Sequence, residues 1–262
     1  MKLFVCLKQV PATSAVEVDE ESGVLKREGV DSKLNPYDLY ALETALRLKE
    51  TYGGSVHVGT MGPMQAKEII TEAFMMGADA GYIFSDRAFA GADVLATAFT
   101  ISQGIASIGT FDLILCGKQT TDGDTAQVGP SIAEYMNIPH VSWVQRICTV
   151  EEHEIVVETA NQEVVQTIAV SFPCLLSVEK DIVQPRLPSY RKKLEAKNKS
   201  IVIKSLADFP VQDKNRYGLS GSATQVERIF APERSQEKIR LEGSAANSAR
   251  MMQEILRQSK RI

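Results

Sequence analysis

What the chain has little of narrows its chemistry first. Only four cysteines, Cys6, Cys116, Cys148 and Cys174, are spread over 262 residues without a Cys-x-x-Cys pair, and the three histidines, His57, His140 and His153, are equally scattered. Such spacing fits no zinc or iron–sulfur ligand set and predicts reduced thiols, so no metal site is expected. No run reaches the roughly 18 apolar residues that a membrane-spanning helix needs. The opening Met1-Lys2-Leu3-Phe4-Val5-Cys6-Leu7 is too short for a signal core and reads as a strand, which predicts a cytoplasmic protein without a membrane partner. Excess positive charge is missing as well: 29 Lys and Arg against 33 Asp and Glu give a net charge of −4, which argues against nucleic-acid binding. No G-x-G-x-x-G follows the first strand and no G-x-x-x-x-G-K-[ST] occurs anywhere, so the two commonest phosphate-loop signatures are absent. No nucleophile–base constellation stands out, and no catalytic residue is assigned.

What is present is an ordinary globular composition, 44% hydrophobic and 24% charged. In the first half, strand and helix patterns alternate. Strands are expected at Leu3 to Leu7, Val56 to Val58, Tyr82 to Phe84 and Leu113 to Leu115, with a small hairpin possible before Gly29. Helices are expected from Asn35-Pro36, over Met64 to Met76 with Gly77 as the stop, and over Ala92 to Ile105. This order predicts an α/β fold with a parallel sheet covered on both faces, its ligand crevice at the carboxyl ends of the strands. Cys6 to Lys8, Gly59 to Gly62, Phe84 to Asp86 and Cys116 to Gln119 are the strand ends that could line it. From about Trp143 the stretches Ile155 to Val157, Val164 to Val170 and Cys174 to Val178 read as antiparallel additions. Beyond Lys180 the globular pattern fades into a basic, proline-containing segment, Pro185 to Lys193, a turn-rich stretch over 205–240, and an amphipathic helix from about Ala245 to Ser259. Its stripe is Ala249, Met252, Ile255 and Leu256. This tail is expected to bury little of itself and to pack on another chain, with folding back over its own domain as the alternative.

The most informative stretch is Cys116-Gly117-Lys118-Gln119-Thr120-Thr121-Asp122-Gly123-Asp124-Thr125-Ala126-Gln127-Val128-Gly129-Pro130. A strand ends there, a polar loop turns, and a helix begins. Asp124 is expected as N-cap with Gln127 as its capping partner. Free N–H groups and the helix dipole suit such a start to a phosphate. A well-capped helix after an ordinary polar loop is the plainer alternative, and Lys8 and Lys118 could be charge partners for phosphates, although a lysine in such a place is more often simply solvated.

Several segments together resemble the β subunit of electron transfer flavoproteins along nearly the whole chain. They are Val5-Cys6-Leu7-Lys8-Gln9-Val10-Pro11, Asn35-Pro36-Tyr37-Asp38 with Ala41 to Lys49, Met61-Gly62-Pro63, Met76-Gly77-Ala78-Asp79, Gly117-Lys118-Gln119, Phe172-Pro173, Pro185-Arg186 and Ala196-Lys197. The resemblance implies a Rossmann-like, adenine nucleotide hydrolase-like domain over 1–184. A recognition loop and a C-terminal arm over 185–262 would embrace an α subunit. It also implies a cofactor. One branch of the family holds structural AMP in the β subunit, whereas the electron-bifurcating branch holds FAD that takes hydride from NADH. The small residues at Gly123, Thr125 and Ala126 resemble the FAD version.

Carried over residue by residue, the resemblance places Cys6 and Lys8 beside the nucleotide. Asn35, Pro36, Tyr37 and Asp38 would contact the adenosine and Met61 would line the adenine side. Gly117, Lys118, Gln119, Thr120, Thr121, Asp122, Gly123, Asp124, Thr125, Ala126, Gln127 and Val128 would wrap the phosphates. It implies ferredoxin as one electron acceptor. The other would be the α-subunit flavin, followed by an acyl-CoA dehydrogenase or reductase, or a lactate dehydrogenase. A non-bifurcating β subunit holding AMP and, outside the family, a stress-type ATP-binding module are the alternatives. Two positions depart from the family pattern. Tyr190 stands where an anchoring leucine is usual, and Thr159-Ala160-Asn161-Gln162-Glu163 replaces a cluster of acids.

Overall fold

The computed structural model describes residues 1–12, 32–160, 164–227 and 238–259. Strand β1 (Lys2–Cys6) leads into an antiparallel pair, β2 (Gln9–Pro11) and β3 (Ser32–Leu34), and then α1 (Pro36–Tyr52). The alternation continues through β4 (Ser55–Met61), α2 (Lys67–Met76), β5 (Ala80–Phe84), α3 (Val94–Ala106), β6 (Leu113–Gly117) and α4 (Val128–Met136). Strands β7 (His140–Val150), β8 (Glu154–Ala160), β9 (Val165–Ser171) and β10 (Cys174–Val178) follow. Helix α5 (Tyr190–Ala196), β11 (Ile201–Lys204), the short α6 (Gly218–Gly221) and α7 (Ala245–Gln258) complete the described chain.

The helix boundaries obey simple stereochemistry. Pro36 opens α1, where its missing N–H costs nothing and its fixed φ suits the first turn. Gly77, with φ of 135°, ends α2 at the expected place. The sheet runs β11-β5-β4-β1-β6-β10-β7-β8-β9. Its first seven strands are parallel, and only β8 and β9 are antiparallel to their neighbours. One core lies under α1 and α2 and contains Leu3, Val5, Leu42, Leu46, Ile70, Leu113 and Leu115. The other lies under α3 and α4, with Phe4, Phe84, Phe99, Ile114, Ile132 and Leu175. The helices therefore cover both faces, as the alternation predicts. No helix among the described residues is long and apolar enough to cross a membrane.

Two expectations are corrected. Cys174 to Val178 is not an antiparallel addition but β10, inserted in parallel between β6 and β7. All five of its residues are buried, the mark of a strand covered on both faces, and such a run carries no alternation to reveal its direction. The chain beyond Lys180 also buries more of itself than its pattern suggests. Helix α5 packs on α2, β11 extends the sheet beside β5, and Leu206, Phe209 and Tyr217 join the aromatic core. These anchors are isolated among turns, so no helical or strand period announces them.

Candidate functional site

The sheet changes direction of growth at its centre. From β1 the chain moves outward to β4 and β5, then returns across β1 to β6, so the carboxyl ends of β1 and β6 flank the switch point where open α/β sheets bind ligands. Cys6 to Lys8 and Gly117 to Gln119 meet there. Asn35 and Asp38, at the start of α1, join them. The Asn35 amide donates to Asp38 Oδ1 and to the Gln119 carbonyl, both at 2.9 Å, and the Lys8 N–H donates to Asp38 Oδ2 at 2.8 Å. Burial pushes the Asp38 carboxyl up to about 7, against the pull of the Asn35 and Lys8 donors. Asn35 is 0% and Asp38 5% exposed, so their side chains act as joints between β1, β6 and α1. Pro36 and Tyr37 remain partly exposed beside them.

The residues expected around the phosphates form a closed turn over this junction. Lys8 Nζ reaches Asp122 at 2.7 Å and Thr120 Oγ1 at 3.5 Å, the Gly123 N–H donates to Thr120 Oγ1 at 3.3 Å, and the Gln119 amide donates to Asp124. Lys118 Nζ pairs with Glu179, beyond β10, at 2.6 Å. Both lysines thus have carboxylate partners. The expected N-cap is corrected here: α4 starts at Val128, not after Asp124, and has no side-chain cap. The reason lies in the backbone, since Asp124 and Ala126 take left-handed φ values of 53° and 56° and carry the chain through an extra turn. Left-handed residues close to right-handed Gln127 point successive N–H groups the same way, the arrangement that cradles anions. No protein acceptor among the described residues meets the N–H groups of Gln127, Val128 and Gly129. A phosphate fits that donor set. Strained backbone at non-glycine residues is itself a mark of a working site.

The remaining expected residues are less concentrated. Cys6 lies beside Cys116, and the hydrogen bond with that thiol, together with burial, raises the Cys6 thiol well above its usual range. Met61 ends β4, paired with Phe84, partly buried and two strands away from β6. Thr121, Asp122, Gly123, Asp124, Thr125 and Gln127 are exposed, and Ala126 and Val128 partly so. At the end of β5, by contrast, Asp86 caps a short turn through the Ala88 N–H and accepts from the Leu206 N–H, so this strand end serves the fold. Glu179 and Trp143 were missed by sequence reasoning. Both border Lys118 only because β10 lies beside β6 and β7 beside β10, a neighbourhood that the antiparallel reading concealed.

Against this geometry the comparisons are direct. Residues 22–208 match the electron transfer flavoprotein domain. The chain belongs to the electron transfer flavoprotein family. The match spans β3 through β11, which agrees with α5 and β11 lying on the main body. An electron transfer flavoprotein subunit beta of Thermoanaerobacterium thermosaccharolyticum is 44% identical over 232 residues, 88% of each chain. The caffeyl-CoA reductase-Etf complex subunit CarD of Acetobacterium woodii is 43% identical over 233 residues, again 88% of each. Protein FixA of Azorhizobium caulinodans is 39% identical over 244 residues, 91% of this chain and 87% of its own. As an electron transfer flavoprotein of the β-subunit type, the chain works in electron transfer, as the sequence resemblance implies.

Proposed function

We propose that this chain is the FAD-holding, NADH-oxidising β subunit of an electron-bifurcating electron transfer flavoprotein. Its electrons go to ferredoxin and, through a flavin on an α subunit, to an acyl-CoA dehydrogenase or reductase, or a lactate dehydrogenase. The observation that carries the reading is the uncapped start of α4 behind the left-handed turns at Asp124 and Ala126, with only small side chains at Gly123, Thr125 and Ala126 beside it. Small side chains leave a pyrophosphate room against the backbone. The relative from Acetobacterium woodii is by name part of a CoA-ester reductase complex, which supports the choice of partner. FAD bound here would supply the hydride and single-electron chemistry. This chain's residues bind and orient: N–H groups of Gln127 to Gly129 hold the pyrophosphate, and the Asn35–Asp38 joint fixes β1 and β6 beneath it. The Met61 side of the crevice receives the adenine. Gly123→Val in the αβ complex is expected to remove about one flavin per heterodimer while leaving the fold intact, because a side chain on an exposed loop is tolerated where a ligand contact is not. Unchanged flavin content would overturn the assignment. Structural AMP is the second reading, favoured by the Lys8–Asp122 and Gln119–Asp124 contacts that draw the loop closed.

Two surfaces fit partners in this reading. Helix α7 has no buried residue, and its Met252 is 46% exposed. A lone helix of this length is marginal in water and needs a surface to lie on. We place that surface on the α subunit; truncation after Gly243 is then expected to leave a folded nucleotide domain that pairs poorly. A truncated chain that aggregates while still pairing would contradict it. The recognition segment presents Leu187, 87% exposed, and Tyr190, 76% exposed, beside Arg191 and Lys193. Lys192 is instead spent on the fold, donating to the Met76 carbonyl at 3.0 Å. Neutralising Arg191 and Lys193 is expected to slow docking of the partner dehydrogenase at low salt, and unchanged association kinetics would remove this segment from the interface.

A further inference from the structure

Trp143 is the one tryptophan of the chain, and the structure spends effort to display it. It lies in β7 between Val141 and Val144, which are both buried, yet its own side chain is 40% exposed. Its φ is 60°, the left-handed region that a bulky side chain ordinarily avoids. The cause is a bulge: between the paired positions Val141–Leu176 and Val144–Val178, β7 places two residues, Ser142 and Trp143, opposite the single Ser177 of β10. Bulges re-aim side chains beside active sites. This one is held on every side. The buried Ser177 hydroxyl accepts the Trp143 N–H at 3.1 Å, and the Thr159 hydroxyl donates to the carbonyls of Ser142, at 2.8 Å, and Trp143, at 3.1 Å. The Glu179 N–H donates to the Val144 carbonyl at 2.9 Å. A strained residue so firmly fixed, with its large ring left partly open to water, points to a task for the ring.

The neighbours indicate which task. Lys118 Nζ stands 4.8 Å from the ring centroid while pairing with Glu179, so the loop that begins the phosphate site also steadies the indole. Ser177, which fixes the Trp143 backbone, also lies beneath the first turn of α4, its Cβ 3.6 Å from where a Cβ on Gly129 would stand. Ser177 therefore links the Trp143 backbone to the first turn of α4, whose N–H groups are assigned to the pyrophosphate. Strand order puts Trp143 on the β10–β7 side of that point and puts Met61 on the opposite, β4 side. A dinucleotide whose adenine lies toward Met61 and whose pyrophosphate meets the start of α4 has Trp143 on the side away from its adenine. AMP, which ends at its phosphate, has nothing to place there.

We propose that the Trp143 indole stacks on the isoalloxazine ring of FAD bound at this site, with Lys118 and Glu179 setting the angle of the indole. The inference rests on the FAD reading and adds the flavin subsite to it. The test uses the full-length chain in complex with its α subunit, with FAD and AMP as probes and Trp143→Ala, Trp143→Phe and Trp143→Gly as variants. Loss of a base–aromatic stack is expected to weaken FAD binding at the β site about tenfold in Trp143→Ala, while AMP binding stays the same. Phenylalanine restores most of the affinity. Glycine, at ease at this φ, gives a folded protein with the same selective loss. The emission of Trp143, isolated as the difference between wild type and Trp143→Phe, falls on adding FAD and not on adding AMP. Full FAD affinity in Trp143→Ala overturns the inference and leaves the FAD reading standing. Equal loss of AMP and FAD marks Trp143 as a structural prop, and loss of the α subunit with FAD affinity unchanged marks it as a subunit contact; either result also overturns it. A wild-type complex that takes up no FAD at the β site overturns the reading itself.

Discussion

Gly117→Ala is expected to destabilise the protein by about 3 kcal/mol, the upper part of the range for overpacking a tight contact, and to abolish nucleotide retention with it. A Cβ at position 117 would stand 2.5 Å from Asp38 Oδ1, 2.6 Å from the carbonyl carbon of Tyr37 and 2.8 Å from the Asp38 nitrogen. Two of these are backbone atoms in the first turn of α1, so no side chain can swing away. The helix itself has to retreat, breaking the Asn35–Gln119 and Lys8–Asp38 hydrogen bonds that fasten β1, β6 and α1 together. Gly123 offers the contrast. A Cβ there meets only Thr120 Oγ1, at 3.3 Å, and Lys8 Nζ, at 3.9 Å, both side-chain atoms that can yield. Urea unfolding of the two variants separates the effects: Gly117→Ala moves the midpoint strongly and Gly123→Val hardly at all. Wild-type stability in Gly117→Ala would show that α1 is not held against β6 as described.

The second large effect is expected at Arg186. Its guanidinium donates to Glu43 at 2.8 and 3.1 Å and to Glu50 at 2.6 and 3.0 Å, and its N–H donates to Glu43 Oε2 at 3.2 Å. Glu43 projects from α1 with only 2% of its side chain exposed, and Arg47 Nε, at 3.0 Å, is its other cationic partner. Arg186→Met leaves a buried carboxylate with half of its support. The expected loss is about 3 kcal/mol, typical for removing one partner of a buried pair. Burial alone would raise the Glu43 carboxyl, but hydrogen bonds from Arg186 and Arg47 outweigh it and hold the group below its ordinary value of 4.5; the Arg186 guanidinium lowers Glu50 likewise. A depressed folded-state value contributes stability above the ordinary carboxylate range and loses it as pH falls toward the depressed value. The gap between wild type and Arg186→Met is therefore widest near neutral pH and narrows in acid. A gap that does not change with pH would show that the pair contributes no charge-dependent stability.

How much of this was legible in the sequence depends on what kind of signal each element leaves. Alternating elements from β1 to α4 carry strong periodic patterns and clear stops such as Pro36 and Gly77, and the structure follows them. The strand ends that meet at the switch point follow from that order, so Cys6 to Lys8 and Gly117 to Gln119 could be brought together in advance. The direction of β10 could not, because five consecutive buried residues read alike in either direction. The isolated anchors Leu206, Phe209 and Tyr217 have no period at all. The extra turn before α4 depends on left-handed backbone at Asp124 and Ala126, and an alanine gives no warning of it. Trp143 was visible as a residue but not as a site feature, because its exposure arises from a bulge against β10.

The most direct test of the account is a count of bound groups in the purified αβ complex, from the visible spectrum and from analysis of what denaturation releases. The account predicts two flavins per heterodimer, with the second lost in Gly123→Val. One flavin accompanied by one AMP would contradict it and make this chain a scaffold around a structural nucleotide.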